Sequence, residues 1–85
     1  MATAKPQPSP NPNALKFTLD VRLPDTWTID SADAAAGNPF AEAVFAVDGV
    51  VSIFGVNDFV TITRRPGVDW DPIIAAVEAA ASEHL

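Results

Sequence analysis

Residues 50–65, VVSIFGVNDFVTITRR, carry the clearest structural pattern in the chain. They contain two runs, Val50–Val56 and Phe59–Arg64, that are rich in the β-branched and aromatic residues favoured in strands. Only Asn57 and Asp58 separate the runs, and both residue types tolerate the positive φ that a two-residue hairpin turn requires. The stretch therefore predicts an antiparallel β-hairpin.

The predicted hairpin has apolar side chains on both faces, although helices can easily cover only one of them. One face carries Val51, Ile53, Gly55, Val60 and Ile62, and the other carries Val50, Ser52, Phe54, Val56, Phe59, Thr61 and Thr63. If the second face is uncovered, Phe54, Val56 and Phe59 form an exposed apolar patch of the kind that marks partner surfaces. If that face is the core, or if a bulge at Gly55 reshuffles the strands, these side chains are buried. We favour the core interpretation.

Two further strands are predicted upstream of this hairpin. Four apolar residues alternate with four polar ones over residues 15–22, a pattern typical of a half-buried strand. Residues 26–29, TWTI, follow a Pro-Asp turn and favour a short second strand, so the two segments suggest an opening hairpin. Residues 30–37 could form either a capped helical turn or a loop.

Two helices are predicted from their end signals. Asn38 suits the N-cap and Pro39 the first position of a helix of about ten residues, which Gly49 is expected to end. Asp69 is expected to cap a second helix, in which apolar residues recur at i, i+3, i+4, i+7 and i+11 from Trp70.

The predicted element order is strand, strand, helix, strand, strand, helix. It indicates an α+β fold with two layers, a mainly antiparallel sheet of about four strands and two helices on one face. The prolines of residues 1–10 indicate a disordered tail, and residues 11–85 are expected to form the domain.

Composition narrows the possible partners. The chain has 85 residues, enough for one domain, and its 48% hydrophobic content supports a packed core. Its net charge of −6 argues against nucleic acid and anionic membranes, which select for basic patches. The sequence contains neither an apolar run long enough to span a membrane nor a recognisable targeting signal, so we expect a cytoplasmic protein.

Few residues of the sequence could take part in catalysis or metal binding. The sequence contains no cysteine and therefore no thiolate nucleophile or thiolate ligand for a metal cluster. His84 is penultimate and is expected to be exposed at a frayed end. Asp25, Asp30 and Asp33 surround Trp27 and could form the acidic rim of a small ligand-binding protein or enzyme, but a solvated face is the favoured interpretation. We expect no catalytic, cofactor-binding or metal-binding residue.

Arg64 and Arg65 form the only adjacent pair of basic residues in the sequence. They could bind an acidic partner. Alternatively, they are the charged end of a strand that discourages pairing between sheet edges, and this second interpretation is favoured.

Several blocks taken together resemble the N-terminal domain of Nfu/NifU-type iron–sulfur scaffold proteins. The blocks are NPNALKF at residues 11–17, NPFAEAVFAVDGVVSIFGVNDFVTITR at residues 38–64, and a tryptophan, Trp70, at the start of the last predicted helix. They occur in the order typical of that family and extend over residues 11–77. The matching positions are residues 11–17, Pro39, Ala41, Phe45, Val47, Gly49, Val50, Ile53, Phe54 and residues 59–63.

This resemblance implies an accessory role. In the family, a Cys-x-x-Cys motif of a separate C-terminal domain holds the cluster, and no cysteine is present here. The resemblance thus implies a free-standing N-terminal module without cluster ligands, which contacts iron–sulfur assembly or client proteins. A homo-oligomeric structural module is a further possibility. The candidate partner-contact residues are Asn13, Lys16, Phe54, Val56, Phe59, Arg64 and Arg65.

Overall fold

A computed structural model describes residues 3–7 and 12–85. Its elements are β1 (Ala4–Gln7), β2 (Ala14–Leu19), β3 (Trp27–Ile29), α1 (Pro39–Phe45), β4 (Val50–Val56), β5 (Phe59–Arg64) and α2 (Trp70–His84). The five strands form one sheet in the order β1-β2-β5-β4-β3, and every neighbouring pair is antiparallel. The helices pack against each other and against the sheet. The α+β class is confirmed, with one strand more than predicted.

The β4–β5 hairpin has the predicted turn and register. Phe54 lies opposite Thr61, and Asn57 adopts a φ of 56° in the turn. A register shift between residues 50 and 52 places a bulge at the start of β4. Because the bulge breaks the alternation of side chains, Val50 packs against the core, on the face opposite to its prediction, and the bulged Val51 is 41% exposed.

The helices cover the Ile53 face of the hairpin, so the favoured interpretation that buried the Phe54 face is wrong. Ile53, Val60 and Ile62 are at most 1% exposed, whereas Phe54 is 44% exposed. Gly55 is paired on both sides in regular ladders rather than bulged.

Buried helix residues complete the core on this covered side of the sheet. The helix stripes and the sheet together exclude water from a single cluster. The cluster includes Phe17 and Leu19 of β2, Phe40, Ala41 and Val44 of α1, and Ile73, Val77, Ala80 and Ala81 of α2.

The predicted opening hairpin does not form. β2 pairs with β1 and β5, whereas β3 pairs only with β4 at the opposite edge of the sheet. The connecting loop runs past the β4–β5 turn, where Leu19 and Leu23 donate backbone hydrogen bonds to Asp58 and Asn57 at 2.7 and 2.6 Å. The loop is long enough to cross the ends of two strands, so β2 and β3 are neighbours in sequence and not in the sheet.

The expectation of a disordered tail is wrong for residues 4–7, which form edge strand β1 on β2. Ala4 is 5% exposed and lies opposite Leu19. Pro6, which lacks a backbone donor, is tolerated because an edge strand needs partners on one side only. Residues 1–2 and 8–11, which hold the rest of the predicted tail and Asn11, lie outside the described residues.

The capping residues predicted from the sequence account for only some of the observed helix ends. The side-chain oxygen of Asn38 accepts a hydrogen bond from the Ala41 N–H at 3.2 Å, which confirms the predicted N-cap of α1. α1 ends at Phe45, earlier than predicted, and Gly49, with a φ of 100°, lies in the turn into β4. Asp69 occupies the N-cap position of α2 but makes no side-chain capping bond.

Residues 30–37 contain the capped turn that was one of the two alternatives. The Ala34 N–H donates to Ser31 Oγ at 3.1 Å, and the Ala35 N–H donates to the Ser31 carbonyl at 3.1 Å. Gly37, with a φ of 88°, ends the segment in front of α1.

Candidate functional site

The side of the sheet opposite the helices is uncovered within the described part of the chain. Alternation along the strands and the pairing between them define its members, and we call this surface the open face. It comprises Lys5 and Gln7 of β1, Ala14, Lys16 and Thr18 of β2, Thr28 of β3, Ser52, Phe54 and Val56 of β4, and Phe59, Thr61 and Thr63 of β5.

Three apolar side chains lie together at the turn end of the open face. Val56 lies directly opposite Phe59 in the hairpin, and Phe54 is two residues from Val56 on the same strand. Phe54 is 44% exposed, and Val56 and Phe59 are half-buried. Aromatic and branched side chains in this arrangement present area that a partner can remove from water.

Lys16 extends this cluster on the neighbouring strand. Its Nζ lies 4.3 Å from the centre of the Phe59 ring, within the range of a cation–π contact. Lys16 is otherwise exposed, so its ammonium stays available to an anionic group. The structure thus brings four of the candidate contact residues together: Lys16, Phe54, Val56 and Phe59.

Arg64 does not belong to this surface. It follows Thr63 in β5 and so points to the helix side, where its guanidinium carbon lies 5.0 Å from the centre of the Trp70 ring. Its Nη1 donates to the Val68 carbonyl, and its Nε is buried with no hydrogen-bond partner among the described residues. These contacts give Arg64 a structural role between β5 and α2.

Arg65 is exposed and paired with an acid. Its Nη2 lies 3.0 Å from Asp48 Oδ1, and its backbone N–H donates to the Gly49 carbonyl at 2.8 Å. Exposed ion pairs of this kind contribute little to stability. The pair joins the end of β5 to the turn before β4 and lies away from the Phe54 cluster.

Asn13 lies in a turn that attaches the start of β2 to the rest of the domain. The Asn13 carbonyl accepts the Arg64 N–H at 2.8 Å, and the Pro12 carbonyl accepts the Trp70 Nε1–H at 3.2 Å. Asn13 is half-buried. The turn therefore fixes where β2 begins relative to β5 and α2, a packing role that is separate from the open face.

The depression beside Trp27 is not lined by the acids that were proposed to form a rim there. Trp27 packs against Phe40, with 5.7 Å between ring centres, beside a depression of about 340 Å³. Asp25, Asp30 and Asp33 do not line this depression, and His84, exposed at the end of α2, does. Over residues 3–7 and 12–85, the structure contains no group of three or more histidine and acidic side chains placed to hold a metal ion.

One polar contact that sequence reasoning missed attaches Thr3, just before β1, to Asp20, just after β2. The Thr3 N–H donates to Asp20 Oδ1 at 2.9 Å, and this hydrogen bond lowers the pKa of Asp20 below its usual value. The contact and Lys5 of the open face were both missed because residues 1–10 were expected to be disordered. A strand-like alternation in AKPQ was the available signal, and the prolines obscured it.

The helices of the described residues are all too short or too polar to cross a membrane.

The chain matches one protein family over almost its whole length. The family described as "Scaffold protein Nfu/NifU N terminal" matches residues 5–85. NifU-like protein 5, mitochondrial, from Arabidopsis thaliana is 39% identical over 67 residues, which cover 76% of this chain and 24% of that protein. The NFU1 iron-sulfur cluster scaffold homolog, mitochondrial, from Drosophila ananassae is 37% identical over 70 residues, which cover 79% of this chain and 24% of that protein.

The fold agrees with this assignment. The solution structure of a NifU-like protein from Saccharomyces cerevisiae superimposes with a TM-score of 0.78 at 27% identity, covering 94% of this chain and 75% of that one. The chain spans about a quarter of the length of the two curated relatives named above. Since both the sequence and the fold match, the chain belongs to the Nfu/NifU N-terminal family.

Proposed function

We propose that this domain is a non-catalytic protein-interaction module of iron–sulfur cluster assembly and that the open face is its docking surface. Family membership supports the link to cluster assembly, because relatives are named as scaffold proteins. The absence of cysteine from the 85 residues supports an accessory role, in which the ligands of the cluster come from another polypeptide segment.

The exposure of Phe54 carries the proposal. An aromatic side chain that is 44% exposed, with Val56 and Phe59 beside it, lies on a sheet face that no described element covers. Contiguous apolar side chains at a protein surface often mark the place where a partner binds. The partners proposed are assembly or client proteins that carry or accept the cluster.

The chemistry of the open face supports binding rather than catalysis. Its members are aromatic, aliphatic, hydroxyl, amide and lysine side chains. The cluster around Phe54 contains no carboxylate or imidazole to act as a general base, and Lys16 is in contact with a ring. Such a surface recognises shape and apolar area.

Quantitative affinity capture tests this function. The domain, its Phe54→Ser variant and its Val51→Ser variant are used to capture proteins from native cell extract. Val51 is a matched control because it is 41% exposed but lies in the bulge at the far end of β4. We expect cluster-assembly or cluster-dependent proteins to be lost with Phe54→Ser and retained with Val51→Ser. If no such protein depends on Phe54, the proposed function is wrong.

A further inference from the structure

The open face differs in charge from the rest of the molecule. The sequence contains 11 acidic and 5 basic residues, yet the strand positions of the open face hold two lysines and no acid. Lys5 and Lys16 are both exposed there. Two exposed acids border this surface at its turn end: Asp58 in the hairpin turn and Asp20 directly after β2. The acids of the helix layer, Glu42, Asp71, Glu78 and Glu83, are exposed on the other side.

The apolar and the cationic groups lie side by side on the open face, and Lys16 contacts the Phe59 ring where they meet. Phe54, Val56 and Phe59 lie on β4 and β5, and Lys16 and Lys5 lie on β2 and β1, which follow in the sheet. Neighbouring strands are about 4.8 Å apart, so the distance from β4 to β1 is roughly 14 Å. This width is close to the roughly 10–12 Å diameter of an α-helix with its side chains.

We propose that the open face binds an amphipathic α-helix of a partner protein, which has an apolar stripe flanked on one side by aspartate or glutamate. The apolar stripe packs on Phe54, Val56 and Phe59, and the acidic flank lies over Lys16 and Lys5. This inference rests on the proposed function, because it names the chemistry of the partner that uses the same surface.

The geometry favours a helix over an added strand. The backbone groups of β2, β5 and β4 are already paired with strands on both sides, so an extended segment finds no ladder to join on the open face. Helices are also what cover the opposite face of this sheet. An amphipathic helix offers an apolar stripe wide enough to cover the hairpin end.

A second copy of this chain does not supply such a helix. The apolar stripe of α2 is buried against its own sheet, through Ile73, Val77 and Ala81. Pairing two open faces would bring their four lysines into one interface whose strand positions hold no acid. The two lysines of the open face therefore favour another protein with acidic residues over a second copy of this chain.

Designed peptides test this inference on the intact chain. Two helical peptides of roughly 18 residues share one leucine stripe, and one has a glutamate flank and the other a lysine flank. Each is titrated into the isotope-labelled protein, and amide chemical shifts are recorded at two salt concentrations. We expect the glutamate peptide to shift the amide resonances of the open face and to bind at least about threefold more tightly than the lysine peptide. Its affinity should fall when salt is added, because salt screens the attraction between its glutamates and the lysines.

Charge variants locate the effect. Lys16→Glu is expected to reduce the affinity for the glutamate peptide on the order of threefold to tenfold, and Lys16→Gln is expected to reduce it less. Arg22→Glu is the matched control, because it makes the same change of charge in the exposed loop between β2 and β3. Thermal unfolding monitors the fold, and Lys16→Gln replaces Lys16→Glu if the latter fails to fold.

Three results would overturn the inference. They are equal binding of the two peptides, an Arg22→Glu effect as large as that of Lys16→Glu, and a dimer in sedimentation that Phe54→Ser dissociates. Equal binding that Phe54→Ser abolishes and Val51→Ser preserves would leave the proposed docking surface intact and reject only the acidic helix. Failure of the proposed function itself is seen separately, in the capture experiment.

Discussion

At residue scale, Gly55 shows how a missing side chain decides which face of the sheet is covered. A Cβ at this position would lie 2.8 Å from Leu23 Cδ1, and 3.1 Å from both Trp27 Cε3 and Val60 Cγ1. Leu23 and Trp27 therefore pack directly over the backbone of β4 on the helix side, in the space that a side chain at position 55 would fill. The glycine is the one sequence signal in the hairpin that favours the Ile53 face as the core, because close packing over a strand often requires glycine.

Gly55→Ala is expected to destabilise the domain by about 1–3 kcal/mol, because the added methyl group overpacks three neighbours in the core. Urea unfolding followed by circular dichroism measures the loss. Ser52→Ala in the same strand, on the open face, is the control and should change the free energy of unfolding little. A Gly55→Ala cost no larger than the Ser52→Ala cost would show that Leu23 simply moves aside.

The hydrogen bond from Thr3 to Asp20 predicts a pH dependence. It lowers the pKa of Asp20 in the folded state below 3.8, so the ionised carboxylate stabilises the attachment of the chain start above pH 3.8. This contribution is lost as the pH falls below 3.8 through the folded-state pKa. An NMR titration of the Asp20 carboxyl carbon should give a midpoint below 3.8.

Asp20→Asn should remove that acid-side dependence, whereas Glu78→Gln, the same change of charge on exposed α2, should leave it in place. Amide hydrogen exchange in β1 reports the attachment directly. A midpoint at or above 3.8 in the wild-type protein would contradict the assigned hydrogen bond.

At element scale, the sequence predicts structures that depend on neighbours in the chain. The β4–β5 hairpin follows from Asn57-Asp58 between two strand-forming runs, and the start of α1 follows from Asn38 and Pro39. Strand order cannot be predicted in this way, because β2 and β3 find partners that are distant in sequence. β1 was missed because its proline argues against a strand and only tertiary pairing with β2 overrides it.

Removal of residues 1–7 tests the importance of β1. Deletion exposes the edge of β2 and uncovers Leu19, which pairs with Ala4. We expect a loss on the order of 1–3 kcal/mol in the free energy of unfolding, since a few ladder hydrogen bonds and little apolar area are lost. The freed edge should also promote aggregation at high concentration. Unchanged stability on urea unfolding would show that β1 contributes nothing to the fold.

At the scale of the whole molecule, the sheet has one face buried under the helices and one face that no described residue covers. All its helical apolar stripes pack on one side of the sheet, and the other side is left with hydroxyl, apolar and lysine side chains. From residue 52 to residue 63 the sequence predicted the two faces of the hairpin correctly, but it predicted neither the bulge at Val50 nor which face is covered. The covered face depends on the contacts of α1 and α2. The candidate site was half predictable for the same reason: alternation groups Phe54 with Phe59 and puts Arg64 on the other face, but only the fold shows that Arg64 contacts Trp70 and that Phe54 is exposed.

This asymmetry predicts unequal losses of stability when two phenylalanines on opposite faces of the sheet are replaced by alanine. Phe54 is 44% exposed, so Phe54→Ala should cost less than about 1 kcal/mol in the free energy of unfolding. Phe17 is fully buried, and Phe17→Ala should cost about 3–5 kcal/mol because it leaves a cavity against the helices. Both are measured by urea unfolding under the same conditions. A loss at Phe54 as large as that at Phe17 would mean that the open face is covered in the free protein, and a docking surface would then have to be sought elsewhere.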